Sequence, residues 1–158
     1  MKTILALVAS AFAFAVMAGS AFGADVEWLT DYKAALAKAK QEHKAVLLDF
    51  TGSDWCPPCM MMKKRVFGSE KFKDYAAKNL VLVELDFPQG KALPSDLEAQ
   101  NFELAQKFGA MDMTGNLQVP LLVIVNPEGK ALDAHPGAFM FPTEFIDWAN
   151  DALRRADG

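Results

Sequence analysis

Apolar positions along the chain alternate between two spacings, and the alternation predicts the elements. Ala45-Val46-Leu47-Leu48-Asp49-Phe50 is apolar at every position but one, which predicts a buried strand running to Thr51. Leu80 to Phe87 predicts a second strand, ended by Pro88-Gln89-Gly90. Leu121 to Val125 and Lys130 to Ala134 predict two short strands around Asn126-Pro127-Glu128-Gly129, a turn tight enough to make them an antiparallel hairpin. Between these runs the spacing becomes helical. Tyr32, Ala35, Leu36 and Ala39 mark a leading amphipathic helix over Thr30 to His43, with Thr30 as its expected N-cap. From Pro58 onward, Cys59, Met62, Val66 and Phe67 share a stripe, with Lys63, Lys64 and Arg65 largely on the other side. Gly68-Ser69 interrupts it, and Ser69 is expected to cap a further helix through Lys78. Ser95 to Phe108 predicts a helix closed by Gly109, and Pro142 opens a last one bearing Phe145, Ile146, Trp148, Ala149 and Leu153. The order βαβ, then α, then a ββ hairpin, then α predicts an α/β fold: a mixed sheet of four main strands with helices on both faces.

The N-terminus changes where the folded chain is expected to start. Lys2 precedes Ile4 to Met17, which is apolar or small throughout apart from Ser10, and Ala21-Phe22-Gly23 supplies small residues at a cleavage site. Residues 1–23 therefore read as a signal peptide, leaving 24–158 as a single domain destined for the periplasm or for secretion. About 135 residues suffice for one domain with a real core. Loss of Lys2 leaves 15 Lys and Arg against 20 Asp and Glu, a net charge of −5, so no nucleic-acid partner is expected.

The chain has two cysteines, in Trp55-Cys56-Pro57-Pro58-Cys59, between the first predicted strand and a predicted helix. Sited on a first helical turn, such a pair can close a short disulfide, while free N–H groups and the helix dipole favour a thiolate on the first sulfur. A bridge enclosing so little chain restrains little of the unfolded ensemble, so stabilisation is the weaker explanation and reversible redox chemistry the stronger. Neither Pro57 nor Pro58 has an N–H, which leaves Cys59 as the first residue able to donate a backbone hydrogen bond to the Cys56 sulfur. Limited thiolate stabilisation predicts a reductant rather than a forceful oxidant. Asp49, a lone acid in an apolar strand, is expected to be desolvated and to hold its proton.

Order, spacing and motif together resemble the thioredoxin fold, particularly small exported members carrying Phe-Thr-Gly-Ser-Asp-Trp-Cys before the second cysteine. The resemblance covers roughly residues 27 to 155, with a central mixed sheet of four to five strands. It implies a thiol-disulfide oxidoreductase in which Cys56 attacks, the more buried Cys59 resolves, and Asp49 assists Cys59 as a buried acid. It places Trp55, Pro57, Pro58, Val119 and Pro120 at the substrate surface, with Pro120 as a cis proline presenting the backbone before it to an extended substrate. The chain departs from the family's common pattern in three places. Six residues rather than five separate Asp49 from Cys56, Leu121 follows the proline where threonine is usual, and Ala110 to Gln118 is longer than usual.

No metal or organic cofactor is implied beyond the Cys56–Cys59 disulfide itself. Expected partners are protein thiols and disulfides, with a membrane-bound thiol donor to keep a reducing member reduced, and the protein is expected to be a monomer. The rival from another class is a soft-metal or copper-delivery protein using the same cysteines with Met60, Met61, Met62, Met111, Met113 and Met140. Consecutive helical residues point in different directions, which argues against Met60-Met61-Met62 converging on one ion and for methionine as core filler. A closed zinc site needs four ligands, and the only two histidines, His43 and His135, lie far from the cysteines in sequence. A non-catalytic binding module is the third reading, disfavoured by the presence of both cysteines and the acid.

Overall fold

The computed structural model describes residues 25–155, so the signal segment expected over residues 1–23 lies outside the described residues. In chain order the elements are β1 (Trp28–Leu29), α1 (Tyr32–Glu42), β2 (Ala45–Thr51), α2 (Pro57–Met62), a π-helical turn (Lys63–Phe67), α3 (Glu70–Asn79), β3 (Leu80–Asp86), α4 (Ser95–Phe108), β4 (Leu121–Val125), β5 (Ala131–Pro136) and α5 (Pro142–Arg154). Five strands form one sheet in the order β1-β3-β2-β4-β5. β1, β3 and β2 run parallel, while β4 is antiparallel to both β2 and β5.

Alternation along β2 sorts the core into two layers. Val46, Leu48 and Phe50 face Ala35 and Ala39 of α1 and Leu104 and Ala105 of α4. Leu47 faces the opposite way, toward Met62, Val66, Phe67, Phe72 and Phe145. Phe72 and Phe145 are fully buried, with centroids 5.0 Å apart and rings inclined at 64°, an edge-on arrangement that favours aromatic contact. Each such side chain contributes about 1.5–3 kcal/mol of transfer free energy. By the same alternation Asp49 belongs to the face of Leu47, beneath α2.

Local chemistry accounts for most boundaries and corrects several expectations. The α1 cap is Asp31 rather than Thr30: Oδ1 of Asp31 accepts from the Ala34 N–H at 2.9 Å, the geometry a carboxylate supplies one residue later. Ser69 caps α3 as expected, accepting from Phe72 N–H at 3.2 Å. Gly109 closes α4 with φ 80, a left-handed conformation that glycine adopts without steric cost. The helix after the cysteines begins at Pro57, not Pro58, since proline is accommodated at N1. It then widens into the π turn that the sequence pattern did not disclose. β3 stops at Asp86, and β5 runs from Ala131 to Pro136 rather than from Lys130 to Ala134. β1 also escapes the sequence pattern, because a two-residue edge strand is too short to show a period. Among the described residues it pairs with Leu82 and Val83 alone, so the rest of that edge of β3 has no strand partner there.

Candidate active site

The site is built where β2 ends and α2 begins. Cys56 is the N-cap of α2 and Cys59 lies one turn on, and the two are joined in a disulfide with Cα atoms 5.3 Å apart. The Cys59 N–H points at Cys56 Sγ, with N to S at 3.3 Å. Pro57 and Pro58 occupy the two intervening positions, so the hydrogen bond expected from composition is the one observed. Both prolines are exposed. Both cysteines are buried, Cys56 at 3% exposure and Cys59 at 2%. The neighbouring proline segment lies close to the first cysteine, with the Val119 carbonyl oxygen 4.0 Å from Cys56 Sγ. The Val119–Pro120 peptide bond is cis. Gly137, after β5, donates its N–H to the Pro120 carbonyl at 2.9 Å and ties this segment to the sheet.

The turn ahead of the cysteines is fastened by three consecutive side chains, each reaching the chain that leaves β3. Ser53 donates through its N–H and its Oγ to the Asp86 carboxylate, at 2.9 and 2.6 Å. The Asp54 carboxylate accepts from Gln89 and Gly90 N–H at 2.9 and 2.6 Å, and these bonds hold its pKa below the usual carboxylate value. Trp55 Nε1 donates to the Phe87 carbonyl at 2.7 Å. The indole lies over Gly52, where a Cβ would come within 2.5 Å of the ring. Thus Gly52-Ser53, within the six residues between Asp49 and Cys56, is part of a built connection. The roles of Ser53, Asp54 and Asp86 were missed in the sequence because the partner segment lies more than 30 residues away.

Asp49 is buried, at 4% exposure, and its Oδ1 has no hydrogen-bond partner among the described residues. Desolvation first, then the negative charge of Glu84, pushes its carboxyl up to about 8, against a smaller lowering by Lys63. A carboxyl in this condition can take up and release a proton near neutral pH.

The remaining candidates are dispersed. Met62 is buried in the core, Met60 is 43% exposed and Met113 fully exposed, so the methionines do not gather. His43 is an exposed residue at the end of α1. His135 stacks on Phe139 at 3.9 Å between centroids, and burial lowers its pKa. Among the described residues, no group of three or more His, Cys, Asp and Glu side chains is placed to hold a metal ion.

Comparison with known proteins gives a consistent neighbourhood. A thioredoxin-like family profile matches residues 27–127. The disulfide bond reductase DsbH of Chlamydia pneumoniae is 39% identical over 109 residues, 69% of this chain and 61% of the relative. The thioredoxin-related protein DsbJ of the same organism is 28% identical over 107 residues, 68% of this chain and 29% of the relative. The matches thus span less than two thirds of either relative. A solved structure described as DsbH oxidoreductase superposes with a TM-score of 0.70 at 32% identity, covering 83% of this chain and 86% of that one.

Proposed function

The chain belongs to the thioredoxin-like family, and from that premise we propose that it is an exported thiol-disulfide oxidoreductase that reduces disulfides in protein substrates. The observation that carries the reading is the cap of α2: Cys56 Sγ faces one backbone donor, Cys59 N–H, with the intervening prolines offering none. A helix start stabilises a thiolate there, but with one donor the stabilisation is limited, which keeps the dithiol reducing. The reductase name of the chlamydial relative supports the same direction.

In the reducing cycle the Cys56 thiolate attacks a substrate disulfide, forming a mixed disulfide and expelling one substrate thiolate. Cys59, its thiol proton taken by the Asp49 carboxylate, then attacks Cys56 Sγ. The second substrate thiolate leaves, and the Cys56–Cys59 disulfide forms as the dithiol gives up two electrons to the substrate disulfide. Val119 and Pro120, beside Cys56, align the substrate backbone, and Trp55, Pro57 and Pro58 form the rim it meets. A membrane-bound thiol donor restores the dithiol, because the periplasm lacks an assured soluble reductant. The protein acts as a monomer after removal of residues 1–23.

The test is the reduction potential of the mature protein, by equilibration with dithiothreitol or glutathione and trapping of free thiols. A value near about −270 mV is expected, and one near about −120 mV would replace the reductase reading with that of an oxidant. A pair that does not cycle but binds Cu(I) tightly would replace redox catalysis with metal delivery.

A further inference from the structure

Asp49 sits between two unlike neighbours in the sheet. Its register partner on β4 is Leu122, and its partner on β3 is Glu84. Leu122 is fully buried and belongs to the apolar layer under α2 and α5, so on that side the acid meets hydrocarbon. His135 of β5 pairs beyond Leu122 and is one strand further from Asp49. Glu84, by alternation with Leu80 and Leu82, projects to the same face as Asp49. Its Oε1 is 2.8 Å from Lys63 Nζ at the start of the π turn, with side chains 22% and 58% exposed. β1 pairs with β3 only as far as Val83, and beyond it this edge borders a cleft of about 230 Å³, lined in part by Lys63, Glu84, Asp86, Ser53 and Lys91. Asp86 there is paired with Lys91 at 3.6 Å and with Ser53, and it raises the Asp49 carboxyl less than Glu84 does.

We propose that the Glu84–Lys63 pair sets the pH at which Asp49 gives up its proton, and that both are positioning residues for the thiol chemistry rather than a surface ion pair. The inference rests on the reading of Asp49 as the proton acceptor for Cys59. An exposed ion pair contributes little to stability, so stability does not account for this one. Its placement does: Glu84 is a like charge directly across the sheet from a buried acid, and Lys63 is the counter-charge that tempers it. With Glu84 ionised and paired, Asp49 feels the carboxylate partly neutralised. Removing either member unbalances the pair in opposite senses.

The experiment follows the Asp49 carboxyl by 13C NMR across pH in the oxidised mature protein, with the resonance assigned by its absence in Asp49→Asn. Glu84→Gln removes the like charge and leaves Lys63 unpaired, so the midpoint falls by at least about half a pH unit. Lys63→Met removes the counter-charge, so the midpoint rises by a similar amount, while Lys63→Arg keeps the parental value. Denaturant melts establish that each variant is folded. Midpoints that stay in place, or move in the same direction in Glu84→Gln and Lys63→Met, overturn the proposal. Failure of the underlying reading shows differently: Asp49→Asn then leaves the pH profile of disulfide exchange unchanged, whatever the titration midpoints do.

Discussion

Trp55 and Phe87 are joined by a hydrogen bond from the indole Nε1 to the main-chain carbonyl, 2.7 Å long, and through it the turn before the cysteines is held to the chain leaving β3. The bond fixes a side chain at the rim by its polar end and leaves the aromatic face to pack, the usual division of labour in a tryptophan. Gly52 completes the arrangement by leaving the space the ring occupies.

Gly52→Ala tests that packing. An added methyl would lie 2.5 Å from Trp55 Cε2, so the indole must move and its bond to Phe87 is lost. Overpacking of this kind costs about 1–3 kcal/mol, to be measured by denaturant unfolding. Reduction of a protein disulfide should slow in parallel, and unchanged stability together with unchanged rate would refute a structural role for the contact.

Pro58→Ala restores a backbone N–H at the second helical position, where an N-cap side chain commonly accepts. A second donor to Cys56 Sγ stabilises the thiolate and with it the reduced form. The reduction potential should rise by roughly 30 mV, and the Cys56 thiolate should form at lower pH by ultraviolet absorbance. A potential equal to that of the parent would mean that the prolines do not limit thiolate stabilisation.

Cys59→Ser separates attack from resolution. Incubated with a disulfide-bonded substrate, this variant should accumulate a mixed disulfide through Cys56, visible by mass, while Cys56→Ser should accumulate none. Trapping by the opposite variant would exchange the two roles. The near-equal burial of the two residues makes this a real discrimination.

Asp49 also predicts how stability depends on pH. Its folded pKa, about 8, lies above the ordinary 3.8, so the native state holds a proton that the unfolded chain has lost between those values. Stability contributed by this group is therefore full below 3.8 and falls as pH rises toward about 8. Asp49→Asn, neutral at every pH, should remove that slope and be the more stable protein at pH near 8. Chemical denaturation at a series of pH values measures the slope, and an identical pH dependence in the variant would contradict the buried, protonated acid.

Much of this protein was determined by sequence alone, because its signals are local. The apolar run of β2, the Ser69 cap, Gly109 at the end of α4 and the turn between β4 and β5 each depend on residues a few positions apart, where periodicity and backbone preference act directly. So does the single donor to Cys56, since a proline lacks an N–H in any fold. Tertiary structure decided what depends on distant segments: the clasp of Ser53, Asp54 and Trp55 onto residues 86–90, the approach of Val119 to Cys56, and the two-residue β1 that leaves an edge of β3 open. It also decided that Asp49 lies opposite Glu84, whose charge is balanced by Lys63. A side chain's electrostatic surroundings are set by which strands adjoin and in what register, and neither is written in the spacing of residues along one strand.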